Sequence, residues 1–336
     1  MATIIDVAKL AGVGIGSVSR VINGKDSVSD KTRLKVNKAI KTLNYKPNQS
    51  ARSLVSKKFN TIGIWGTELA GTFNSQTLRV IDHELITHQK HCLVTNGDIS
   101  NSENPNLAID SVNDLISKGC DGIIFWGTDV THFDIAYIEK YFPNIVLLNN
   151  RIEKFDHKCF YFNHYKAGYI AGQYLVDNGH KSIACITGDF QTEDGRKRHE
   201  GFLDSMKDNN ITVPSEFIIE GDYSFIKGQE GVMTLLKRNL DFTALFCGND
   251  QSAMSAIATL TGNGFNVPDD ISVFGYDDND IAPFTSPPLS TIRVPFDDMA
   301  LAAVKYLLNT CYDLQLSVEH NFPVELIERK SVRNLT

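Results

Sequence analysis

The chain of 336 residues contains no apolar run approaching the roughly 18 residues that a membrane span needs. Its opening, MATIIDVAKLAG, lacks an apolar stretch followed by a small-residue cleavage site, so no secretory signal is expected. The six cysteines (Cys92, Cys120, Cys159, Cys185, Cys247, Cys311) form no CxxC pair and no tight framework, which fits a reducing cytoplasm rather than a disulfide scaffold. Tandem repeats and low-complexity tracts are missing. So are a nucleophile triad, a Cys/His pair in its usual context and a phosphate-cradling loop, and no enzymatic activity, cofactor or metal is expected. Two short patterns mislead. Gly12-Val-Gly-Ile-Gly16 has Ser17 where a dinucleotide fingerprint needs its third glycine, and a helix precedes it instead of a strand. His83-Glu84-Leu-Ile-Thr-His88 has one residue too many for HExxH, which takes its histidines off the shared face a zinc site requires.

What is present is an uneven charge. The formal net charge is −7, but residues 1–60 carry twelve Lys/Arg against three acids, a net of +9. The other 276 residues carry 21 Lys/Arg against 37 acids, a net of −16. A basic head on an acidic body suggests a polyanion-binding module joined to something that avoids that polyanion.

The head reads as helices. Thr3-Ile4-Ile5-Asp6 has the form of a capping box with Asp in place of Glu. Ile4, Val7, Ala8 and Ala11 follow at helical spacing, and Gly12 closes the helix. Val18, Val21 and Ile22 mark a second helix ending at Asn23-Gly24. Ser29-Asp30-Lys31 opens a third, with Leu34, Val36, Ala39, Ile40 and Leu43 expected to be buried. Two short helices across a glycine turn, supported by a third, form a helix-turn-helix pattern. Tyr45-Lys46-Pro47-Asn48 breaks it, and 48–55 is a short helix-compatible segment too polar to be stable alone.

From residue 61 short apolar runs alternate with helical stretches. The runs are TIGIWG (61–66), LVTNG (93–97), GIIFWG (122–127), IVLLNN (145–150), CFYFN (159–163), SIACITG (182–188), FIIEGD (217–222), ALFCGND (244–250) and ISVFGYDD (271–278). Continuous apolar strands, each followed by a helix, indicate parallel sheets covered on both faces. The fold class is therefore α/β, with two doubly wound parallel-sheet lobes behind an all-α head. The tail STIRVPFDDMALAAVKYLLN is expected to return to the first lobe as strand then helix, and FPVELIERKS to add a last strand to the second. Ligands bind beyond the carboxyl ends of such strands. Asn149, Asn150, Arg151, Asn163, Asn249, Asp250, Asp277 and Asp278 all fall there, which favours a binding cleft between the lobes.

The segments DVAKLAGV, SVSRVING, VSDKTR, YKPN, ARSL, NTIGIW, RHEGF, GND, ISVFGYDD and LSTIRVPF resemble, in order and spacing, the LacI/GalR family of bacterial transcription regulators. The resemblance runs along almost the whole chain. It implies a headpiece over 1–46, a hinge helix and linker over 47–60, and a core like the periplasmic sugar-binding proteins. The core would divide into 61–161 plus 293–321 and 162–292 plus 322–336. It also implies a homodimer on a pseudo-palindromic operator, each headpiece reading one half-site. The family's tetramers carry an extra heptad helix, and the ending SVRNLT leads to the expectation of a dimer.

The resemblance implies residue roles as well. Ile15, Gly16 and Arg20 take the base-reading positions of the second helix, and Arg20 can bond bidentately to guanine. Ser17, Ser19 and Asn23 suit phosphates. Leu54, with Ala51 one turn earlier, matches a hinge leucine that wedges into the minor groove. Gly14 and Gly16 depart from the family, which favours serine before the recognition helix and a small non-glycine residue within it, and each is expected to weaken the helix. In the cleft, Arg198, Asn249 and Asp277 match polar ligand positions, with Asn150 after the fourth strand. Phe73, Trp126 and Tyr223 are candidates to stack on a sugar face. Thr192 and Ser224 stand where a purine-responsive branch has an arginine and an acid, which favours a small carbohydrate. The expected function is a cytoplasmic, allosteric repressor of a carbohydrate-utilisation operon released by a sugar. The alternatives are a carbon-control regulator answering to a protein or phosphorylated corepressor and, against the basic head, a sugar-binding transport protein.

Overall fold

The computed structural model describes residues 2–22, 24, 27–46, 58–66, 72–96, 107–127 and 132–336. The chain separates into two compact units, 1–59 and 60–336. The first holds α1 (Ile4–Ala11), α2 (Ile15–Ile22) and α3 (Asp30–Thr42). The capping box at α1 is formed: Thr3 Oγ accepts from Asp6 N, and Asp6 accepts from Thr3 N at 2.8 Å. Gly12 ends the helix at φ 67°, a conformation in which a Cβ would be strained. Ser29 caps α3.

Val7, Ala8, Ala11, Val18, Val21, Val36 and Ala39 make the small core of this unit. Leu34 is a correction, being 72 % exposed. At 100° per residue it lies about 200° around the helix from Val36, so both cannot face the same core. Gly14 is a second correction. It precedes α2, and its carbonyl accepts from Ser17 N and Val18 N, so it stands at the N-cap, where glycine is tolerated. Gly16 alone lies inside the helix.

The second unit contains two parallel sheets of the same winding. The first has the order β2-β1-β3-β4-β5, from β1 (Thr61–Gly66), β2 (His91–Asn96), β3 (Gly122–Trp126), β4 (Ile145–Leu148) and β5 (Cys159–Phe160). The second has the order β7-β6-β8-β9, from β6 (Ile183–Ile186), β7 (Ile218–Ile219), β8 (Ala244–Cys247) and β9 (Ser272–Phe274). Eight of the nine apolar runs named from sequence contain one of these strands, and LVTNG (93–97) overlaps β2 from Leu93 to Asn96. The strands β3, β4, β6, β8 and β9 are buried along their whole length, as sheets covered on both faces require. The covering helices are α4 (Thr72–Thr87), α5 (Leu107–Ser117) and α6 (His132–Tyr141) on the first sheet. On the second they are α7 (His164–Asp177), α8 (Glu193–Asp208), α9 (Phe225–Lys237) and α10 (Asp250–Gly262).

The end of the chain departs from the all-parallel expectation. The strands β10 (Thr291–Arg293) and β11 (Glu325–Ile327) pair antiparallel with each other. The chain leaves the second lobe along β10 and comes back along β11, so these neighbours must run oppositely. Residues 290–293 also run beside 274–277, with bridges Phe274–Ser290 and Asp277–Arg293, so β10 belongs with the second lobe and the crossing begins after it. Between the two, α11 (Phe296–Tyr312) packs on α4 and on β3, β4 and β5. One apolar core is continuous from Ile62 and Val146 through Leu307 to Phe202 and Phe274, and it joins the lobes.

α7 and α8 approach closely because each presents glycine to the other. A Cβ on Gly168 would sit 1.9 Å from the Arg198 carbonyl oxygen, and one on Gly201 would sit 1.9 Å from that of Tyr165. This approach places Arg198 at the edge of the cleft.

Candidate functional site

The cleft is built around one buried guanidinium. Arg198, on α8, is 5 % exposed. It donates to the carbonyl of Gly248, where β8 ends, and pairs with Asp194 one turn earlier at 3.4 Å. Its plane lies 3.7 Å from the centroid of the Tyr276 ring and 5.2 Å from that of Tyr223. Tyr223 Oη in turn donates to Asp194 at 3.3 Å. Glycine makes room here, since a Cβ on Gly188 would strike the Tyr223 ring at 2.0 Å. Burial works to lower the pKa of Arg198, but Tyr223, Tyr276, Asp194 and Asp277 more than offset it and raise it. Burial likewise pushes Asp194 upward, and the opposing pull of His164, Arg198 and hydrogen bonds from Thr192 and Gly195 leaves it below the usual carboxylate range. His164 is itself held at about 3 by burial and is neutral at pH 7, so Arg198 supplies that pull.

His164 joins the lobes. One ring nitrogen lies 2.8 Å from Asn149 Oδ1 beyond β4, the other 3.3 Å from Tyr276 Oη beyond β9, and the ring packs on Phe162 at 4.0 Å. Asp277 follows Tyr276 at φ 115°, a conformation costing an ordinary residue about 1–3 kcal/mol. Backbone bonds hold it, from Asp277 N to Ile292 O and from Val294 N to Asp277 O. Burial drives its carboxyl well above the usual range against the pull of Arg198. A cavity of about 470 Å³ opens beside it, reaching Gln76 and Thr77 of α4 and Phe296 of α11. That volume is in the range of small-molecule sites.

The other expected cleft residues are placed as follows. Asn249 caps α10 and donates to the Tyr223 carbonyl at 3.0 Å, which ties it to the cluster. Asn150 is buried and donates to Gly127 O at 3.2 Å, between the ends of β3 and β4. Trp126 is buried in the joined core and packs on Phe296 at 5.8 Å, one ring removed from the cavity. Phe73 lies in α4, and its side chain is outside the described residues. Thr192, Ser224 and Asn163 all cap helices. Sequence reasoning missed His164, Asp194 and Tyr276 as members of the site. The Asp194–Arg198 spacing of four on a helix, and the tyrosine inside GYDD, were available signals. Nothing in the sequence singles out His164.

In the first unit, Val18 and Val21 turn α2 inward and leave the opposite face free. Ile15 is 49 % exposed, Gly16 and Arg20 are exposed, and Ser17 and Ser19 are half-buried. One exposed helical face thus carries the expected base-reading residues. Asn23, Ala51 and Leu54 lie outside the described residues.

A helix-turn-helix head followed by a two-lobed, periplasmic-binding-protein-like core defines a ligand-responsive DNA-binding regulator. Residues 3–48 match the bacterial regulatory proteins of the lacI family, and residues 173–332 match the periplasmic binding protein-like domain. The chain is 32 % identical to the HTH-type transcriptional regulator GalS of Salmonella typhimurium, over 99 % of this chain and 97 % of that one. It is 34 % identical to the ribose operon repressor of Escherichia coli, over 92 % and 93 %. The crystal structure of the lac repressor dimer bound to operator and an anti-inducer superposes with a TM-score of 0.86 at 29 % identity, over 99 % of both chains. The chain belongs to the lacI family and is an HTH-type transcriptional regulator.

Proposed function

We propose that this regulator represses a sugar-utilisation operon and is released from its operator by a small sugar bound in the cleft. The observation that carries the reading is the cluster of Arg198, Asp194, Tyr223 and Tyr276, followed in the chain by Asp277, the one of the five that lines the cavity reached by both lobes. Carboxylate and guanidinium provide acceptors and donors for vicinal hydroxyls, and the tyrosine rings provide apolar faces for a sugar ring. In this reading 1–46 is the headpiece and 47–60 the hinge. The core divides into 61–161 plus 293–321 and 162–292 plus 322–336.

Ile15, Gly16 and Arg20 read bases, while Ser17, Ser19 and Asn23 hold phosphates. Leu54 and Ala51 act at the operator centre. Asn150 and Asn249, held at strand ends, Trp126 behind Phe296, and Phe73 are the further residues assigned to the effector site in this reading. The protein works as a homodimer on a two-fold operator. Its core exposes apolar side chains suited to a second copy, with Ile226 67 % and Phe284 84 % exposed. Inducer favours a lobe arrangement in which the paired hinges cannot hold DNA, and the coupling is reciprocal.

The test is operator binding with and without a panel of sugars, in wild type and two variants. Asp277→Ala should keep operator binding and lose release by sugar. Leu54→Ala should weaken operator binding and keep sugar binding. Equal loss of both activities in either variant would overturn this division of roles.

A further inference from the structure

We infer that Asp121, Lys90 and Tyr312 are positioning residues for operator binding: they anchor Asn60, where the chain enters the core, and so set the course of the linker before it. This rests on the reading of 47–60 as the hinge and goes beyond the effector site.

Asn60 is the first residue of the second unit, and β1 starts directly after it. Because β1 lies between β2 and β3, the parallel ladder already holds its start. His91 N donates to Asn60 O at 2.9 Å, and Asp121 N donates to Thr61 O at 2.7 Å. Those backbone bonds need no particular side chains, yet three side chains are added to them and converge on one residue. Asn60 N donates to Asp121 Oδ2 at 2.6 Å, and Lys90 Nζ donates to Asn60 Oδ1 at 2.7 Å. Tyr312 Oη donates to the same Asp121 oxygen at 2.7 Å, and the Lys90 ammonium lies 3.9 Å from the centroid of the Tyr312 ring. The four residues thus close a ring of contacts, each of them half-buried, where charge-assisted bonds are screened less than at the open surface. Burial and the Asp121 carboxylate push the Tyr312 hydroxyl up, so it stays a donor.

Asn60 is held in the left-handed region at φ 58°, which asparagine tolerates better than most residues. With its N–H, its carbonyl and its side-chain oxygen all bonded, the peptide leading into it has a fixed direction. Asp121 is fixed in turn, its carbonyl accepting from Asn144 Nδ2 at 3.0 Å and from Cys311 Sγ at 3.2 Å. Cys311 and Tyr312 end α11, and Phe296, Asp297 and Asp298 at its start line the cavity. A helix of 17 residues, about 25 Å long, therefore runs from the cavity to the anchor. Specific binding by a two-fold regulator needs two heads at one spacing, whereas non-specific binding draws on phosphate neutralisation. A fixed linker serves the first and not the second.

The experiment measures full-chain binding to two duplexes, one selected from a random pool by the wild-type protein and one of scrambled sequence. Tyr312→Phe removes the hydroxyl and keeps the ring under Lys90. Asn60→Gly removes the Lys90 acceptor and frees the backbone. Each should weaken binding to the selected duplex by about tenfold or more. Binding to the scrambled duplex should stay within about twofold of wild type. Wild-type affinity for the selected duplex in either variant would overturn the inference. So would an equal loss on both duplexes, which a merely structural role would give. Leu54→Ala is measured alongside: a loss there alone would overturn the anchor and leave the hinge reading standing, and no loss in any of the three would overturn both.

Discussion

Substituting Gly168 tests whether the close approach of α7 and α8 positions the site. The ideal Cβ of an alanine there lies 1.9 Å from the Arg198 carbonyl oxygen, against 3.4–4 Å for ordinary contact. The helices would have to separate locally by on the order of 1.5 Å, in an interior packed as densely as an organic crystal. Neither atom is the end of a flexible side chain, so rotamer changes cannot relieve the overlap. Overpacking typically costs about 1–3 kcal/mol, offset by the roughly 0.5–1 kcal/mol that alanine gains over glycine in a helix.

Gly168→Ala should therefore destabilise by about 2 kcal/mol, and it should weaken sugar binding because Arg198 moves with the α8 backbone. The matched control is Gly262→Ala, at the end of α10, where the added Cβ meets nothing within 4 Å. That variant should be neutral or stabilising by up to about 1 kcal/mol. Urea denaturation read by far-UV circular dichroism compares the two, and sugar titration follows on the folded variants. A Gly168→Ala protein within about 0.5 kcal/mol of wild type, or a Gly262→Ala protein equally destabilised, would refute the reasoning.

Three further outcomes are expected. Arg20→Ala should lose about 1–3 kcal/mol of discrimination at one operator base pair, measured against single-base operator variants; an equal loss on every sequence would make Arg20 a phosphate contact instead. Ile226→Glu, in the groove of about 390 Å³ between α9 and α10, should leave a monomer in sedimentation analysis and weaken operator binding. A dimer that survives it would place the interface elsewhere. Burial holds His164 at about 3 and His199 at about 4, so the unfolded chain takes up their protons first and stability falls as pH drops below about 6.5. Burial pushes Asp250 up to about 7, so its contribution has the opposite sign, greatest at low pH and lost as pH rises from about 4 to 7. His199→Gln should make the acid limb shallower by up to about 1.4 kcal/mol per pH unit, and an unchanged slope in urea titrations at pH 5, 6 and 7 would exclude this.

Local chemistry determined much of this protein by itself. Thr3 and Asp6 cap α1, Gly12 stops it, and the apolar runs mark the nine strands of the two parallel sheets, most of them buried, because capping and burial on both faces leave marks within a few residues. The motifs from DVAKLAGV to LSTIRVPF resembled the family to which the chain belongs, and the uneven charge marked the head as the polyanion-facing part. Tertiary structure alone decided what depends on which segments become neighbours. Leu34 faces solvent because α3 can offer only one stripe to a three-helix core. The strands β10 and β11 pair antiparallel because they are the outgoing and returning paths of one crossing. Arg198, His164 and Tyr276 meet because strand order brings the ends of β8, β5 and β9 to one cleft. Sequence periodicity reports which side of an element is buried; it carries no record of which side chains, a hundred residues apart, a folded sheet sets face to face.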